Sequence, residues 1–301
     1  MKLALRIEVS TARALGRGVP RLLDLLKAAD AGGTFLFALG PDRTGRIAGR
    51  LIGQPIEGRM RPIRAIRRYG LGALLSGTLF RAPDLSSKAF IPLLRGIRDD
   101  GFEVGVLAYD HVQWRTQAAS EDAQWTHAQM QAANARFESV FGEPPRVHGA
   151  AGWQVNRESL RLTQRLGYDY ASDTRGDQPY IPIYRAEIVA CPQLPTTLPT
   201  LAELNAEVPL NVAVERLLDI TAVPRATGHV YAARADLEGI AFADAFEDLL
   251  ARWRGQGYEI VSLLDYVEAL PAGELPRHEL AVQDMPHKGG PVAAQGRPFL
   301  A

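Results

Sequence analysis

The groups in this chain that can do chemistry sit where short apolar runs end. Glu8 stands next to last in the run LALRIEV, and a carboxylate aimed from a strand end can serve as a general base or a metal ligand. Arg6 and Arg13 lie close enough in sequence to offer it an ion pair at a loop instead. Asp110 and His111 put an acid and an imidazole after another apolar run, and the SDTRG segment supplies Asp173 and Arg175, which pair with each other or take a substrate anion. The other five histidines, at 127, 148, 229, 278 and 287, form no i,i+4 pair and no close zinc-type spacing, although His148 stands just before Ala150–Trp153. Nucleophile and nucleotide motifs are missing. There is no G-x-S-x-G elbow and no P-loop, Cys191 sits beside Pro192 without an evident histidine, and the Gly-Arg-Gly at 16–18 lacks a third glycine. Aromatic and basic residues are not interleaved as in RNA modules, so nucleic acid is not an expected partner.

The elements that must position these groups alternate. A strand at Leu3–Val9 is followed by a helix from Pro20 with a buried stripe of Val19, Leu22, Leu23, Leu25 and Leu26. Thr34–Leu39 reads as a second strand, before the Gly-Pro-Asp turn at 40–42. The pattern continues with a helix near Ser87–Asp99, a strand at Glu103–Ala108, and a long helix from about Glu121 to Phe141 closed by Gly142 and Pro144. Further strands are expected near Arg146–Ala151, Tyr170–Ser172, Glu187–Cys191, Gly228–Ala233 and Tyr258–Val261. Helices are expected at Asn156–Leu166, Leu210–Leu218 and Ala241–Arg254. Repeated strand-helix units with apolar strands predict an α/β fold with a parallel sheet covered on both faces, and a (β/α) barrel fits the count better than an open doubly wound sheet. In such a barrel the reacting groups lie at the C-terminal ends of the strands. Those ends are Glu8–Thr11, Leu39–Asp42, Leu107–His111, Ala150–Gln154, Ser172–Gly176, Cys191–Thr197 and Ala232–Glu238.

A chain of 301 residues, 47% hydrophobic and 23% charged, can bury one large core. The reading is one domain over residues 1–270 and a flexible tail over 271–301, where Pro, Gly, His and Gln replace the apolar pattern. The single cysteine excludes an intramolecular disulfide, and residues 1–9 read as a strand rather than a signal peptide, so a cytoplasmic protein is expected. Net charge is zero, yet Arg43, Arg46, Arg50, Arg59, Arg61, Arg64, Arg67 and Arg68 crowd one segment, interleaved with Ile47, Leu51, Ile52, Met60, Ile63 and Ile66. Basic and apolar residues mixed in this way suit an anionic ligand or a membrane interface, so the protein is expected to reach the inner membrane peripherally.

Eight blocks in order carry a resemblance: LRIEVSTAR (5–13), GVPRLLDLL (18–26), GPDRTGR (40–46), EVGVLAYDH (103–111), AAGW (150–153), YASDTRG (170–176), LPTTLPT (194–200) and VYAARADLEG (230–239). Over about residues 3–265 the chain resembles the deformylases of lipid-linked formamido-arabinose in lipid A modification, a branch of the polysaccharide-deacetylase (NodB-homology) family. The resemblance implies a distorted (β/α) barrel that hydrolyses a sugar formamide with a metal-bound water held by one Asp and two His, a second Asp as base and a late His as acid. In this sequence the base position is Glu8, and the ligand positions are Ser10, Leu107 and His111. Gln154 replaces an arginine and Arg234 replaces the acid histidine, while Trp153, Asp173, Arg175, Gly176 and the Leu194–Thr200 loop are kept. Two readings follow. One is a hydrolase whose divalent metal, zinc or similar, sits in a site rebuilt from Glu8, Asp110 and His111, with Asp173 and Arg175 assisting. The other is a non-catalytic relative that binds a lipid-linked amino sugar or its phosphate through Trp153, Gln154, Arg234, Arg43 and Arg46.

Overall fold

The two-residue period of the first strand sets the architecture. In the computed structural model, which describes residues 1–45, 82–270, 275–285 and 290–299, β1 spans Lys2–Val9. Leu3, Leu5, Ile7 and Val9 face the helical layer and are buried. Ala4 packs on the opposite side with Leu36, Leu107 and Val230, and Arg6 and Glu8 follow it on that inner face.

A π-helical turn at Ala14–Gly18 leads into α1 (Val19–Ala28), and β2 is Thr34–Ala38. The chain continues as α2 (Ile91–Asp99), β3 (Glu103–Ala108), α3 (His111–Gln117), α4 (Ala123–Phe141), β4 (Val147–His148), α5 (Arg157–Arg165) and β5 (Tyr170–Ala171). After β6 (Ile181–Tyr184) and β7 (Glu187–Ile188) come α6 (Leu201–Glu207), α7 (Leu210–Thr221) and β8 (His229–Arg234). A second π-helical turn, Leu237–Ala241, precedes α8 (Ala243–Gly255), β9 (Glu259–Val261), α9 (Leu263–Glu268) and the strands β10 (Arg277–Met285) and β11 (Gly290–Pro298). No helix among the described residues is long and apolar enough to cross a membrane.

The main sheet is parallel, in the order β5-β4-β3-β2-β1-β8, with β9 pairing the start of β1. Its two edges are joined by an irregular segment. Leu194 N donates to Ala171 O at 2.7 Å, Thr196 N to Thr174 O at 2.9 Å, and Thr197 N to Val230 O at 3.0 Å. Residues 194–197 thus bridge β5 to β8, and the expected distorted barrel is what forms.

Three local expectations change. The Glu187–Cys191 strand is β7, a two-residue partner of β6 in a second sheet of order β11-β10-β6-β7, outside the barrel. A helix not expected from the sequence, α3, starts at His111, because Asp110 caps it by accepting from Val112 N and Gln113 N. The tail expected over 271–301 contains the antiparallel hairpin β10–β11, paired from His278↔Pro298 to Met285↔Gly290. Its small and polar residues give no apolar period, and it is held by backbone hydrogen bonds and by a parallel register of Arg277–Glu279 on Ile181–Ile183.

The two π-helical turns follow β1 and β8, adjacent strands, and press on each other through glycine. A Cβ on Gly18 would meet Ala235 O at 1.9 Å, and one on Gly239 would meet Gly18 O at 2.4 Å. Gly18→Ala is therefore expected to destabilise the fold by about 3 kcal/mol in denaturant titration, the scale of forced overpacking. Gly16→Ala, two residues away with nothing within 4 Å of its Cβ, is expected to stay within about 0.5 kcal/mol. Equal stability of the two variants would refute this contact.

Candidate functional site at the barrel mouth

Arg6 occupies the inside of the barrel with no exposed surface. Its Nη1 donates to Glu8 Oε1 at 2.7 Å and its Nη2 to Ala150 O at 3.0 Å. Space for the guanidinium exists because residue 149 is glycine, where a Cβ would stand 3.1 Å from Arg6 Nε and 2.3 Å from Leu36 Cδ1. Glu8, read as base or ligand, is thus the partner of a buried cation. The register places Glu8 beside Arg234 on β8, so both side chains share the inner face. Arg234 in turn donates to Asp236 at 2.7 Å.

The AAGW turn brings Trp153 over this pair. Gly152 and Trp153 both take left-handed conformations, φ 67° and 54°. For an aromatic residue that conformation carries a strain of roughly 1–3 kcal/mol, and packing holds it in place. Trp153 Nε1 donates to Thr196 Oγ1 at 3.1 Å, and its ring is buried with Ala232 and Val292. The guanidinium carbons of Arg6 and Arg175 lie 5.4 and 5.0 Å from the ring centroid.

Asp173 and Arg175 do not pair. Asp173 Oδ1 is 2.8 Å from His148 Nδ1 and accepts from Ala150 N at 2.8 Å, so this acid fixes the base of the AAGW turn. Arg175 reaches Glu203 Oε2 at 3.7 Å. Burial pushes its guanidinium down from its ordinary value, Glu203 opposes the shift and Arg6 adds to it. Gln154 Nε2 donates to Pro291 O on β11 at 2.7 Å, so the residue replacing the family's arginine binds the C-terminal hairpin.

The remaining candidates gather across the mouth. Arg43 Nη1 donates to Asp110 Oδ2 at 2.7 Å, while Asp110 Oδ1 accepts Val112 N and Gln113 N at 3.0 and 3.1 Å. Burial, with the charges of Arg234 and Arg115, pushes His111 down to about 3, so its ring is neutral. Its Nε2 faces Thr44 Oγ1 at 3.4 Å, and its Nδ1 has no hydrogen-bond partner among the described residues. Arg46 and the basic segment after it lie outside the described residues.

These contacts decide the metal question on chemistry. A zinc ion takes about three protein donors at roughly 2.0–2.3 Å. Leu107 offers none and is fully buried with Leu36 and Ala108, and Ser10 offers a neutral hydroxyl. Asp110 is held by Arg43 and two amides, and Glu8 by Arg6. No group of three or more His, Cys, Asp or Glu among the described residues is placed to hold a metal. Of the residues read as a rebuilt site, Glu8 and Asp110 are paired with arginines and His111 alone offers a neutral nitrogen, a donor set that does not fit a zinc ion.

Several participants carried weak sequence signals. Arg6 is a charge inside an apolar strand, alternating with Glu8. Asp42 sits in the Gly-Pro-Asp turn and accepts from Ala12 N at 2.9 Å and Thr44 Oγ1 at 2.6 Å. Glu203 looks like an ordinary capping residue of α6, and it is one. Glu238, in the second π-helical turn, is buried and accepts from Tyr231 OH at 2.9 Å and Arg234 N at 2.8 Å.

Burial pushes Glu238 up to about 7, with the Arg234 amide and the Tyr231 hydroxyl opposing. The folded state thus holds this proton where the unfolded chain, near 4.5, has lost it. The contribution to stability is full below about pH 4.5 and is lost as pH rises through about 7. Glu238→Gln is expected to remove that slope: between pH 5 and 8 the variant should gain up to about 3 kcal/mol on the unsubstituted chain in chemical denaturation. Parallel pH profiles would show that Glu238 does not titrate in this range.

No family model matches the chain. A formamido-arabinose-phosphoundecaprenol deformylase of Shewanella sediminis is 30% identical over 267 residues, covering 89% of this chain and 86% of the relative. The corresponding protein of Wigglesworthia glossinidia brevipalpis is 25% identical over 280 residues, covering 92% and 96%. Among solved structures, a polysaccharide deacetylase from Mycobacterium smegmatis superposes with a TM-score of 0.64 at 18% identity, covering 94% of each chain. One from Pseudomonas aeruginosa gives 0.58 at 15% identity, covering 89% of each. A CE4-family pseudoenzyme from Bacillus anthracis gives 0.52 at 13% identity, covering 92% of this chain and 69% of that one. The structural likenesses establish the polysaccharide-deacetylase fold, and the sequence likeness to the Shewanella protein over most of both chains establishes more: this chain belongs to the family of 4-deoxy-4-formamido-L-arabinose-phosphoundecaprenol deformylases.

Proposed function

We propose that this chain binds a phosphate-linked amino sugar of the deformylase type without hydrolysing its amide by the metal route. The observation that carries the reading is Leu107, an apolar side chain sealed in the barrel core where the family places an imidazole. Ser10 and the Arg43-held Asp110 support it, since neither frees a carboxylate for an ion. Arg234, at the position of the acid histidine, stays protonated at any accessible pH and so cannot cycle a proton. One of the structural relatives is itself described as a pseudoenzyme, a precedent for this fold losing its reaction.

What such a mouth retains suits recognition. Cationic guanidiniums and an aromatic wall bind the anionic and apolar faces of a sugar phosphate. The lipid end of the ligand would lie at an anionic membrane surface, reached by the arginine-rich stretch from Arg43 to Arg68 from the cytoplasmic side of the inner membrane. Most of that stretch lies outside the described residues.

The test is incubation with a formamido-arabinose phospholipid analogue, following Trp fluorescence for binding and formate for turnover, with zinc, manganese or cobalt added in turn. Saturable binding without formate release is expected, weakened as salt rises. Formate release that disappears in Glu8→Gln would restore the hydrolase reading instead.

A further inference from the structure

Under the hairpin β10–β11 lie two arginines with unsatisfied N–H groups. Nε of Arg6 and Nη1 of Arg175 are shut away from solvent with no hydrogen-bond partner among the described residues, and the residues themselves are 0% and 8% exposed. A buried N–H left in that state keeps its desolvation cost with no bond to offset it. The carboxylate of Glu203, 3.7 Å from Arg175 Nη1, is beyond hydrogen-bond range. Both guanidiniums converge on the Trp153 ring. Two cations meeting at one aromatic wall with donors unused is an arrangement that an oxyanion completes, because its oxygens accept several charge-assisted hydrogen bonds at once.

Five hydrogen bonds among the described residues attach β11 over them, two of them from Asp177 N and Gln178 N to Gln295 Oε1 at 2.7 and 3.1 Å. Arg175 N donates to Ala293 O at 2.9 Å, Gln295 N to Arg175 O at 2.7 Å, and Gln154 Nε2 to Pro291 O at 2.7 Å. Val292 adds an apolar plug against Trp153 and Ala232. The far side is open, with Val282 71% exposed. At the root Arg277–Glu279 pair with β6, and the ladder to β11 slips between His278 and Leu280, an irregularity where a strand can bend.

We infer that the C-terminal hairpin is a movable cover over an oxyanion seat formed by Arg6, Arg175 and Trp153, which takes a phosphate-type group. This deepens the reading above and rests on it for the ligand's place in the mouth. Entry requires β11 to lift from Arg175, and the seat then supplies the N–H donors that are unused when it is closed.

The test locks the cover in the full chain with Gly176→Cys and Gln295→Cys. An ideal Cβ on Gly176 lies 2.7 Å from Gln295 Cβ, within about 1 Å of disulfide spacing, and the native Cys191 is buried away from it. Calorimetric titration with inorganic phosphate is expected to give at least tenfold weaker binding in the oxidised than in the reduced form. Arg175→Met should abolish binding, and Arg175→Lys, which keeps the charge without the fork, should weaken it at least tenfold. Undecaprenyl phosphate in phosphatidylcholine nanodiscs forms a second arm that separates a lipid-borne phosphate from the free ion, and gating in either arm supports the inference. Equal affinity of the oxidised and reduced forms overturns the cover. Absence of saturable binding in both arms, or binding indifferent to Arg175, overturns the seat. Phosphate bound and gated while the formamido-sugar lipid is refused would sink the reading of the previous section alone; lipid bound with no effect of the crosslink would sink this one alone.

Discussion

A guanidinium inside the barrel governs the rest of the mouth. Removing a charge from water costs several kcal/mol unless it is paired and hydrogen-bonded, and Arg6 meets that demand in part, through Nη1 to Glu8 and Nη2 to the carbonyl of Ala150. Each of those partners fixes something else. Glu8 is held as a counter-ion on the inner face, next to Arg234. The Ala150 carbonyl anchors the turn that forces Trp153 into a left-handed conformation, and the same turn is held from below by Asp173 through the Ala150 amide. Trp153 then takes the Arg175 guanidinium 5.0 Å from its ring centroid and packs with Val292 of the hairpin.

From that pairing follows the distribution of acids. Glu8 goes to Arg6, Asp110 to Arg43 and a helix N-terminus, Asp236 to Arg234, and Asp173 to His148. A carboxylate whose oxygens already accept from cations and amides has little to offer a metal ion, and Leu107 removes an imidazole outright. The chain keeps its family's barrel, and at its mouth the described acids are counter-ions of arginines, of a histidine and of a helix N-terminus. Neutral His111 lies among these charges, its Nδ1 without a hydrogen-bond partner among the described residues.

The barrel was legible because apolar strands and amphipathic helices announce themselves by period, as Leu3–Val9 and the stripe on α1 do. Ordered blocks such as AAGW and YASDTRG also placed Trp153, Asp173 and Arg175 at the mouth. Their partners were not legible, since pairing is a matter of three-dimensional register: Asp173 finds His148 across β4 and β5, and Arg175 finds Glu203 on α6, neither being a neighbour in sequence. Helix α3 was missed because its only announcement is the cap of Asp110, a residue that reads equally well as a ligand. The hairpin was missed for the opposite reason, since Gly, Pro, Gln and Ala in β11 satisfy backbone bonds and fit a narrow space without any apolar alternation.

The central claim is that the mouth no longer holds a metal centre because its donors are absent or already committed. Isothermal titration of zinc tests it directly, comparing the unsubstituted chain with Ser10→Asp/Leu107→His, which returns the family's residue types to both positions. The account predicts no stoichiometric site tighter than about 10 μM in the unsubstituted chain and the gain of one in the double variant, since three donors are what such a site needs. One equivalent of tightly bound zinc in the unsubstituted chain would contradict it.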